Sequence, residues 1–209
     1  MDLFSMDSGF YRFMNRVGNL LILNVLFLLC CIPVITAGAS ATALYTVLMR
    51  LVRQEEGYVG REFFKAFKEN FRQSTLLWLI VVIVGVILYC DIIFSDIMNN
   101  ALGAGLKIVF LLFGFLYMAT VSYVFALQSR FDNTILYTLK NAFWMAMGYL
   151  PYTISLMVVE AIPFFLIYIR PKWFWYLLPV LSTVGVAALL YICSMILNYI
   201  FKKYMGDQA

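Results

Sequence analysis

Long apolar runs alternate with short charged segments along the chain. Five of the runs are long enough to cross a bilayer as α-helices, and they occupy residues 17–36, 74–94, 106–127, 142–169 and 173–201. About 20 helical residues are needed to span a hydrocarbon core about 30 Å thick. A sixth run, 37–52, is apolar up to Arg50, but its helix would be only about 24 Å long, so it crosses thinly or turns back. The pattern predicts an all-α, polytopic transmembrane helical bundle that forms a single domain over 1–209.

The distribution of cations decides how the short run 37–52 is interpreted, because cytoplasmic segments near span ends accumulate Lys and Arg. If this run crosses, both termini lie inside, with twelve cations on the inner side and three on the outer side. The twelve are Arg12, Arg16, Arg50, Arg53, Arg61, Lys65, Lys68, Arg72, Arg130, Lys140, Lys202 and Lys203, and the three are Lys107, Arg170 and Lys172. If the run turns back, Arg12 and Arg16 move outside and the ratio falls to ten against five. We therefore predict about six spans and two cytoplasmic termini.

Composition supports the same class of protein. Apolar residues make up 64% of the chain and charged residues 12%, whereas soluble proteins average about 45–50% and about 25%. The net charge of +4 comes from cations placed beside apolar runs, which is a signal of sidedness and not of nucleic-acid binding. The predicted partner is therefore the lipid bilayer, and no nucleic acid is expected.

The first cytoplasmic loop, 53–73, has the most distinctive pattern among the water-facing segments. Plotted as a helix, its second half places four cations on one face and four phenylalanines on another. The cations are Arg61, Lys65, Lys68 and Arg72, and the phenylalanines are Phe63, Phe64, Phe67 and Phe71. We predict a short amphipathic inner-side helix, reached through a turn at Gly57 and Gly60. A second cytoplasmic loop is predicted at 128–141.

Two roles fit this amphipathic helix. In the first, its phenylalanines enter the lipid headgroup boundary and its cations reach anionic phosphates, so that it anchors the loop on the membrane. In the second, the four phenylalanines form a contact surface for a protein partner.

Three ionisable residues in the apolar runs are candidates for intramembrane function. Glu160 lies deepest, Asp91 is shallower, and Lys107 is an outer-side cation that we expect to pair with one of them. An ionised carboxylate at the centre of a membrane helix costs roughly 2.5–3.5 kcal/mol on insertion scales, so a partner is needed. Glu160 then either couples transport to a proton or a solute, or fixes helix packing.

Catalytic and metal-binding patterns are absent from the sequence. The chain contains no histidine, and Cys30, Cys31, Cys90 and Cys193 lack the paired spacing of a metal site or a disulfide framework. No phosphate-cradling glycine loop or nucleophile elbow is visible. We therefore expect no enzyme activity, no cofactor and no metal.

Several segments together carry a resemblance to a known family. They are 11–19 (YRFMNRVGN), 33–45 (PVITAGASATALY), 55–58 (EEGY), 63–73 (FFKAFKENFRQ), 130–133 (RFDN) and 139–142 (LKNA). The chain resembles the YesL-like family of bacterial multispanning membrane proteins, also called domain of unknown function 624. The resemblance spans nearly the whole chain and is most specific from Glu56 to Gln73.

The resemblance adds an expectation about function, because members of that family are often encoded near carbohydrate ABC transporters. It implies a multi-pass protein of the bacterial plasma membrane that assists sugar uptake or sensing, with sugar ABC importer components as its partners. It carries over no functional residues. The alternative is a small-solute transporter that uses Glu160. A membrane enzyme has the least support, since no catalytic constellation is visible.

Overall fold

A computed structural model describes residues 9–55, 57–98 and 100–206, so Glu56, which contributes to the family resemblance, lies outside the described residues. The described chain consists of α-helices with two short irregular helical segments and contains no strand. The α-helices are α1 (Gly9–Cys31), α2 (Ala37–Val52), α3 (Val59–Ile97), α4 (Ala101–Gln128), α5 (Ile135–Gly148), α6 (Leu150–Ile169), α7 (Trp173–Val180) and α8 (Val186–Gly206). A 3₁₀ turn, Val34–Thr36, precedes α2, and a π-helical segment, Leu181–Gly185, joins α7 to α8.

Six helical stretches of the described chain are long and apolar enough to cross a membrane. They are Met14–Cys31, Val34–Val52, Val59–Ile97, Ala101–Gln128, Leu150–Ile169 and Trp173–Gly206. The predicted all-α, polytopic bundle with about six spans is therefore confirmed, and the protein is a multi-pass membrane protein.

One predicted span is divided in two in the structure, and the predicted run 17–36 ends early, at Cys31. The run 142–169 is not one helix, because the chain breaks at Tyr149 and α6 alone forms the crossing segment. Proline lacks the N–H needed inside a helix but suits its first turn, and Pro151 stands in the first turn of α6. Part of the predicted loop 128–141 consequently belongs to α5.

The basic and aromatic segment 61–73 is helical, as predicted, but it is not a separate helix. It forms the N-terminal third of α3, a continuous helix of 39 residues that is about 58 Å long. Gly60 lies inside this helix instead of in a turn, and the backbone reverses at Gln54, whose φ of 59° is left-handed. No proline interrupts α3, so nothing in the sequence separates segment 61–73 from the span that follows it.

Helix α2 lies at the centre of the bundle and contacts α1, α3, α4 and α8. It runs antiparallel to the first part of α3, since Gly38 lies against Ser74 and Arg50 pairs with Glu62. Two positions on α2, Gly38 and Met49, are about 16 Å apart along the helix, yet they contact Phe125 and Ser129, which are only about 6 Å apart along α4. Both ends of α2 therefore contact side chains from the C-terminal end of α4, and the complete passage of α2 through the bilayer stays a prediction.

Close packing around α2 depends on a small residue at position 38. A Cβ atom at Gly38 would lie 2.5 Å from the Ser74 carbonyl oxygen and 2.5 Å from Trp78 Cβ. These atoms belong to the backbone and to the rigid base of a side chain of α3, so neither can move aside without shifting a helix. Membrane helices commonly approach one another at such small residues.

An asparagine holds the irregular junction between α7 and α8. Asn24 of α1 is fully buried and donates Nδ2 hydrogen bonds to the carbonyl oxygens of Leu181 (3.0 Å) and Ser182 (2.8 Å). Its Oδ1 accepts a hydrogen bond from the backbone N–H of Ala187 at 2.9 Å. The π-helical segment departs from regular α-helical hydrogen bonding at this junction, and lipid supplies no replacement partner. Asn24 therefore satisfies the backbone groups and ties α1 to α8.

We expect Gly38→Ala to destabilise the protein by about 1–3 kcal/mol, because the added methyl group forces α2 and α3 apart. Gly18→Ala is the matched control, since a Cβ at Gly18 meets no atom within 4 Å. Thermal unfolding in a mild detergent measures both variants. Equal unfolding temperatures for the two would show that the close approach at Gly38 is unimportant.

We expect Asn24→Leu to lower the free energy of unfolding by about 3 kcal/mol or more, because each buried polar group left without a partner costs about 1–3 kcal/mol. Asn15 lies on the same helix and is exposed, so Asn15→Leu controls for the loss of an amide. Reversible denaturation in mixed micelles compares the two variants. A loss for Asn24→Leu no larger than that for Asn15→Leu would contradict the proposed role of Asn24.

Candidate functional site

The four cations predicted on the amphipathic segment are all exposed on α3: Arg61, Lys65, Lys68 and Arg72. Two phenylalanines share their side of the helix, Phe64 at 53% and Phe71 at 41% exposure. Phe64 and Phe71 are seven residues apart, which brings them to nearly the same side of the helix. These six residues form one surface, called the basic-aromatic face below.

The prediction that all four phenylalanines form a contact surface is wrong for Phe63. Its side chain is fully buried in a cluster with Leu44, Leu48 and Ala66, and Phe67 packs half-buried against the same cluster. An amphipathic plot separates apolar from charged positions, but it does not tell which apolar positions face a neighbouring helix. The packing partner of Phe63 is α2, which the plot of α3 alone could not show.

The buried phenylalanines support the exposed ones. Phe63 and Phe67 stack at a centroid distance of 6.3 Å, and Phe67 meets Phe71 edge to face at 5.5 Å. Phe63 also meets Phe64 at 5.8 Å with the rings nearly perpendicular. Such contacts stabilise ring pairs by about 0.5–1.5 kcal/mol beyond burial. The exposed rings of the basic-aromatic face are therefore held in place before any partner arrives.

The basic-aromatic face also projects beyond its neighbour α4. Gln73 donates hydrogen bonds to the Gln128 side chain (3.1 Å) and to the Asn133 carbonyl oxygen, which fixes the end of α4 opposite Gln73. Residues 59–72 therefore extend past the C-terminal end of α4. Within the described part of the chain, none of the four cations of this face forms an ion pair. The face is cationic and partly uncovered.

Glu160 turns toward a neighbouring helix. Its Oε2 accepts a hydrogen bond from Ser122 Oγ of α4 at 2.7 Å, and the side chain is half-buried. A second polar pair joins the same two helices, since Tyr123 Oη and Thr153 Oγ1 lie 3.0 Å apart. Both contacts link α4 to α6 within the bundle.

The expected pairing of Lys107 with Glu160 or Asp91 is wrong. Lys107 Nζ binds Asp96 Oδ1 at 2.7 Å, and both side chains are substantially exposed. The turn between α3 and α4 brings Asp96 opposite Lys107, whereas Glu160 lies on a different helix with Ser122 as its partner. Asp91 is half-buried and forms no ion pair among the described residues.

A third polar site was not predicted from the sequence. A cavity of about 450 Å³ lies where the C-terminal end of α2, the segment after α4 and the end of α8 meet, and Arg50, Arg53 and Arg130 line it. The hydrogen bond from Arg53 to Glu55 is the main cause that lowers the pKa of the Glu55 carboxyl group. Nothing local in the sequence joins Arg130 to the other two arginines, because only the tertiary fold brings them together.

The described residues contain no group of three or more Cys, Asp or Glu side chains arranged to hold a metal ion. The basic-aromatic face, the Glu160–Ser122 contact and the arginine-lined cavity are three polar sites of the described chain.

Comparisons with known proteins agree with the resemblance found in the sequence. The family described as "Protein of unknown function, DUF624" matches residues 20–92, which cover α2 and most of α3. The chain is similar to the uncharacterized protein YteU of Bacillus subtilis (strain 168), with 26% identity over 163 residues, 78% of this chain and 73% of that protein. It is also similar to the uncharacterized protein YesL of the same organism, with 30% identity over 146 residues, 68% of each chain. No solved structure matches. The extent of the match to YesL, together with the DUF624 match across α2 and α3, shows that the chain belongs to the YesL-like DUF624 family.

Proposed function

We propose that this multi-pass membrane protein is a non-enzymatic accessory to carbohydrate uptake or sensing that binds an importer through the basic-aromatic face of α3. The observation that carries the proposal is the surface of Phe64, Phe71 and four cations that form no ion pair with any described residue, which extends past the end of α4. In this proposal the protein resides in the bacterial plasma membrane with both termini in the cytoplasm, so the face points to the cytoplasmic side.

The chemistry of this face suits a protein partner. Aromatic side chains and arginines are enriched where protein interfaces gain most of their binding energy. The rings of the face are held by Phe63 and Phe67, so little conformational freedom is lost on binding. Its charge favours a partner surface with acidic groups, which would accelerate association.

The link to carbohydrate uptake rests on the family resemblance and not on the geometry of the site. The relatives YteU and YesL are described only as uncharacterized proteins. The family resemblance is thus the reason for naming a sugar ABC importer as the partner. The co-purification experiment below identifies the partner directly.

We expect the double variant Phe64→Ala and Phe71→Ala to reduce recovery of importer subunits about tenfold or more, because loss of an interface anchor costs about 2 kcal/mol or more. The protein is isolated from native membranes in mild detergent, and the co-purifying proteins are measured by mass spectrometry. Phe94→Ala is the control, since Phe94 lies on the same helix and is 59% exposed.

Three outcomes of this experiment are informative. Loss of importer subunits with unchanged membrane insertion supports docking. Recovery equal to that of the native protein overturns the docking role. Loss of membrane association by the double variant would instead show that the face is a lipid anchor. Substitution of Phe63 is not useful here, because its burial makes a folding defect the expected result.

Transport through Glu160 is the second candidate function. The observation that favours it is the inward orientation of Glu160 toward Ser122, since intramembrane carboxylates of this kind form proton and substrate relays in transporters. The same hydrogen bond also serves as a packing contact between α4 and α6. A substitution that keeps the shape but removes the charge separates these roles.

We expect Glu160→Gln to change the free energy of unfolding by less than about 1 kcal/mol, because the glutamine amide oxygen still accepts the bond from Ser122. Glu160→Ala should cost between about 0.6 and about 1.7 kcal/mol, the average and the maximum measured for hydrogen bonds between membrane helices. Importer recovery should be unchanged for Glu160→Gln. If purified native protein instead moves a solute into liposomes and Glu160→Gln abolishes that movement, the transporter function replaces the accessory function.

A further inference from the structure

The arginine-lined cavity has walls from three parts of the chain that are distant in sequence. Arg50 and Arg53 come from the end of α2, Arg130 follows α4, and Met205 of α8 lines the third side. Its volume of about 450 Å³ lies within the usual range of small-ligand sites. Segment 130–133, which carries part of the family resemblance, contributes Arg130 and Phe131 to the lining, and Glu55 of segment 55–58 pairs with Arg53.

Two of the three arginines have carboxylate partners. Arg50 Nη1 lies 3.0 Å from Glu62 Oε1, and Arg53 Nε lies 2.5 Å from Glu55 Oε1. Each of these ion pairs neutralises one guanidinium. Among the described residues, Arg130 is therefore the surplus cation of the cavity.

Arg130 is held in place without a charged partner among the described residues. Its Nη1 donates one hydrogen bond, to the neutral oxygen Oδ1 of Asn198, at the long distance of 3.4 Å. A guanidinium carries five N–H donors, so most of its donors lack an acceptor among the residues that the structure describes. Burial is the main cause that lowers the pKa of Arg130; the nearby charge of Arg53 lowers it further, and the charge of Glu55 opposes both by raising it.

The hydroxyl groups that line the cavity already donate hydrogen bonds to backbone carbonyl oxygens. Thr46 Oγ1 donates to the Thr42 carbonyl oxygen at 2.9 Å, and Ser129 Oγ donates to the Ala126 carbonyl oxygen at 2.7 Å. The donors that remain for a bound molecule are therefore those of the guanidinium groups. A site with such donors selects an anion.

We propose that this cavity binds a phosphate group, with Arg130 as the principal contact and Arg53 as the second guanidinium. Phosphate oxygens match the planar fork of arginine and accept two parallel hydrogen bonds from it. The group can come from an anionic lipid headgroup or from a free phosphate compound, and both present the same oxygens to the cavity. The proposal of this site does not rest on the docking function proposed for the basic-aromatic face.

A purely structural account of the arginines makes a different prediction. Cations are favourable near helix C-termini, and α2 and α4 both end beside this cavity. If Arg130 only complemented those helix ends, its removal would lower stability equally with and without phosphate. Binding at the cavity requires that phosphate raises the stability of the native protein and that Arg130→Gln removes this gain.

The test measures the unfolding temperature of the full chain in a neutral detergent during titration with inorganic phosphate, against sodium chloride at matched ionic strength. We expect Arg130→Gln to weaken phosphate binding about tenfold or more, since a hydrogen bond to a charged group contributes about 1.5–3 kcal/mol. Lys140→Gln removes the same charge from an exposed position that does not line the cavity, and it should change binding less than about twofold.

Lipid nanodiscs identify the source of the phosphate. Stabilisation by phosphatidylglycerol but not by phosphatidylcholine, lost in Arg130→Gln, supports the site with a lipid headgroup as its ligand. Stabilisation by inorganic phosphate supports it with a free phosphate compound. Equal weakening by Arg130→Gln and Lys140→Gln, or no stabilisation by either source, would overturn the proposal.

Four carboxylate side chains lie outside the described residues, and two of them, Glu56 and Asp207, follow segments that line the cavity in sequence and provide a further check. Each is changed to its amide, Glu56→Gln and Asp207→Asn, and the phosphate titration is repeated. Binding unchanged by these variants supports the proposal. If phosphate binds only after one of them is introduced, a carboxylate of the chain itself occupies the cavity, and the proposal fails.

Discussion

The bundle depends on how closely its other helices can approach α2. Lipid offers no hydrophobic gain for pressing apolar helices together, so association relies on close packing and on hydrogen bonds between helices. Helix α2 supplies both: Gly38 admits the backbone of α3, and Ser40 Oγ donates to the Phe27 carbonyl oxygen of α1 at 3.0 Å. A short, largely buried helix thus organises longer ones, and its position aligns the N-terminal third of α3 on which the basic-aromatic face lies.

Lipid also offers no hydrogen-bond partners to polar groups in the apolar segments, so these groups must bond within the protein. The hydroxyl groups of Thr42 and Thr120 donate hydrogen bonds to carbonyl oxygens one turn earlier in their own helices. Asn24 instead bonds a different helix, since its side chain reaches backbone groups where the π-helical segment joins α8. Glu160 accepts a hydrogen bond from Ser122 of α4. Each of these hydrogen bonds satisfies a polar group inside the bundle. This structural function of Glu160 does not depend on whether Glu160 also acts in transport.

The spans could be predicted from the sequence because length and hydropathy are properties of single segments. The apolar runs predicted the six crossing stretches, although the break at Tyr149 beside Pro151 and the continuity of segment 61–73 with the span after it were missed. Contacts between helices could not be predicted in this way. The turn between α3 and α4 decides that Lys107 meets Asp96, and the position of α2 decides that Phe63 is buried while Phe64 is not. The arginine cavity is the extreme case, since Arg130 and Arg53 are far apart in sequence.

The basic-aromatic face and the arginine cavity share one ion pair. Arg50 lines the cavity, and its Nη1 binds Glu62, which lies in α3 directly between Arg61 of the face and the buried Phe63. An anion in the cavity would compete with Glu62 for the guanidinium of Arg50, because both offer oxygens to the same donors. The first turn of α3 is therefore held from two directions, by the core through Phe63 and by the cavity through Glu62. Of these two contacts, the ion pair is the weaker one, since it is partly exposed to solvent while Phe63 is fully buried. A change in the charge of the cavity would thus act on the start of the basic-aromatic face without unpacking the helix that carries it.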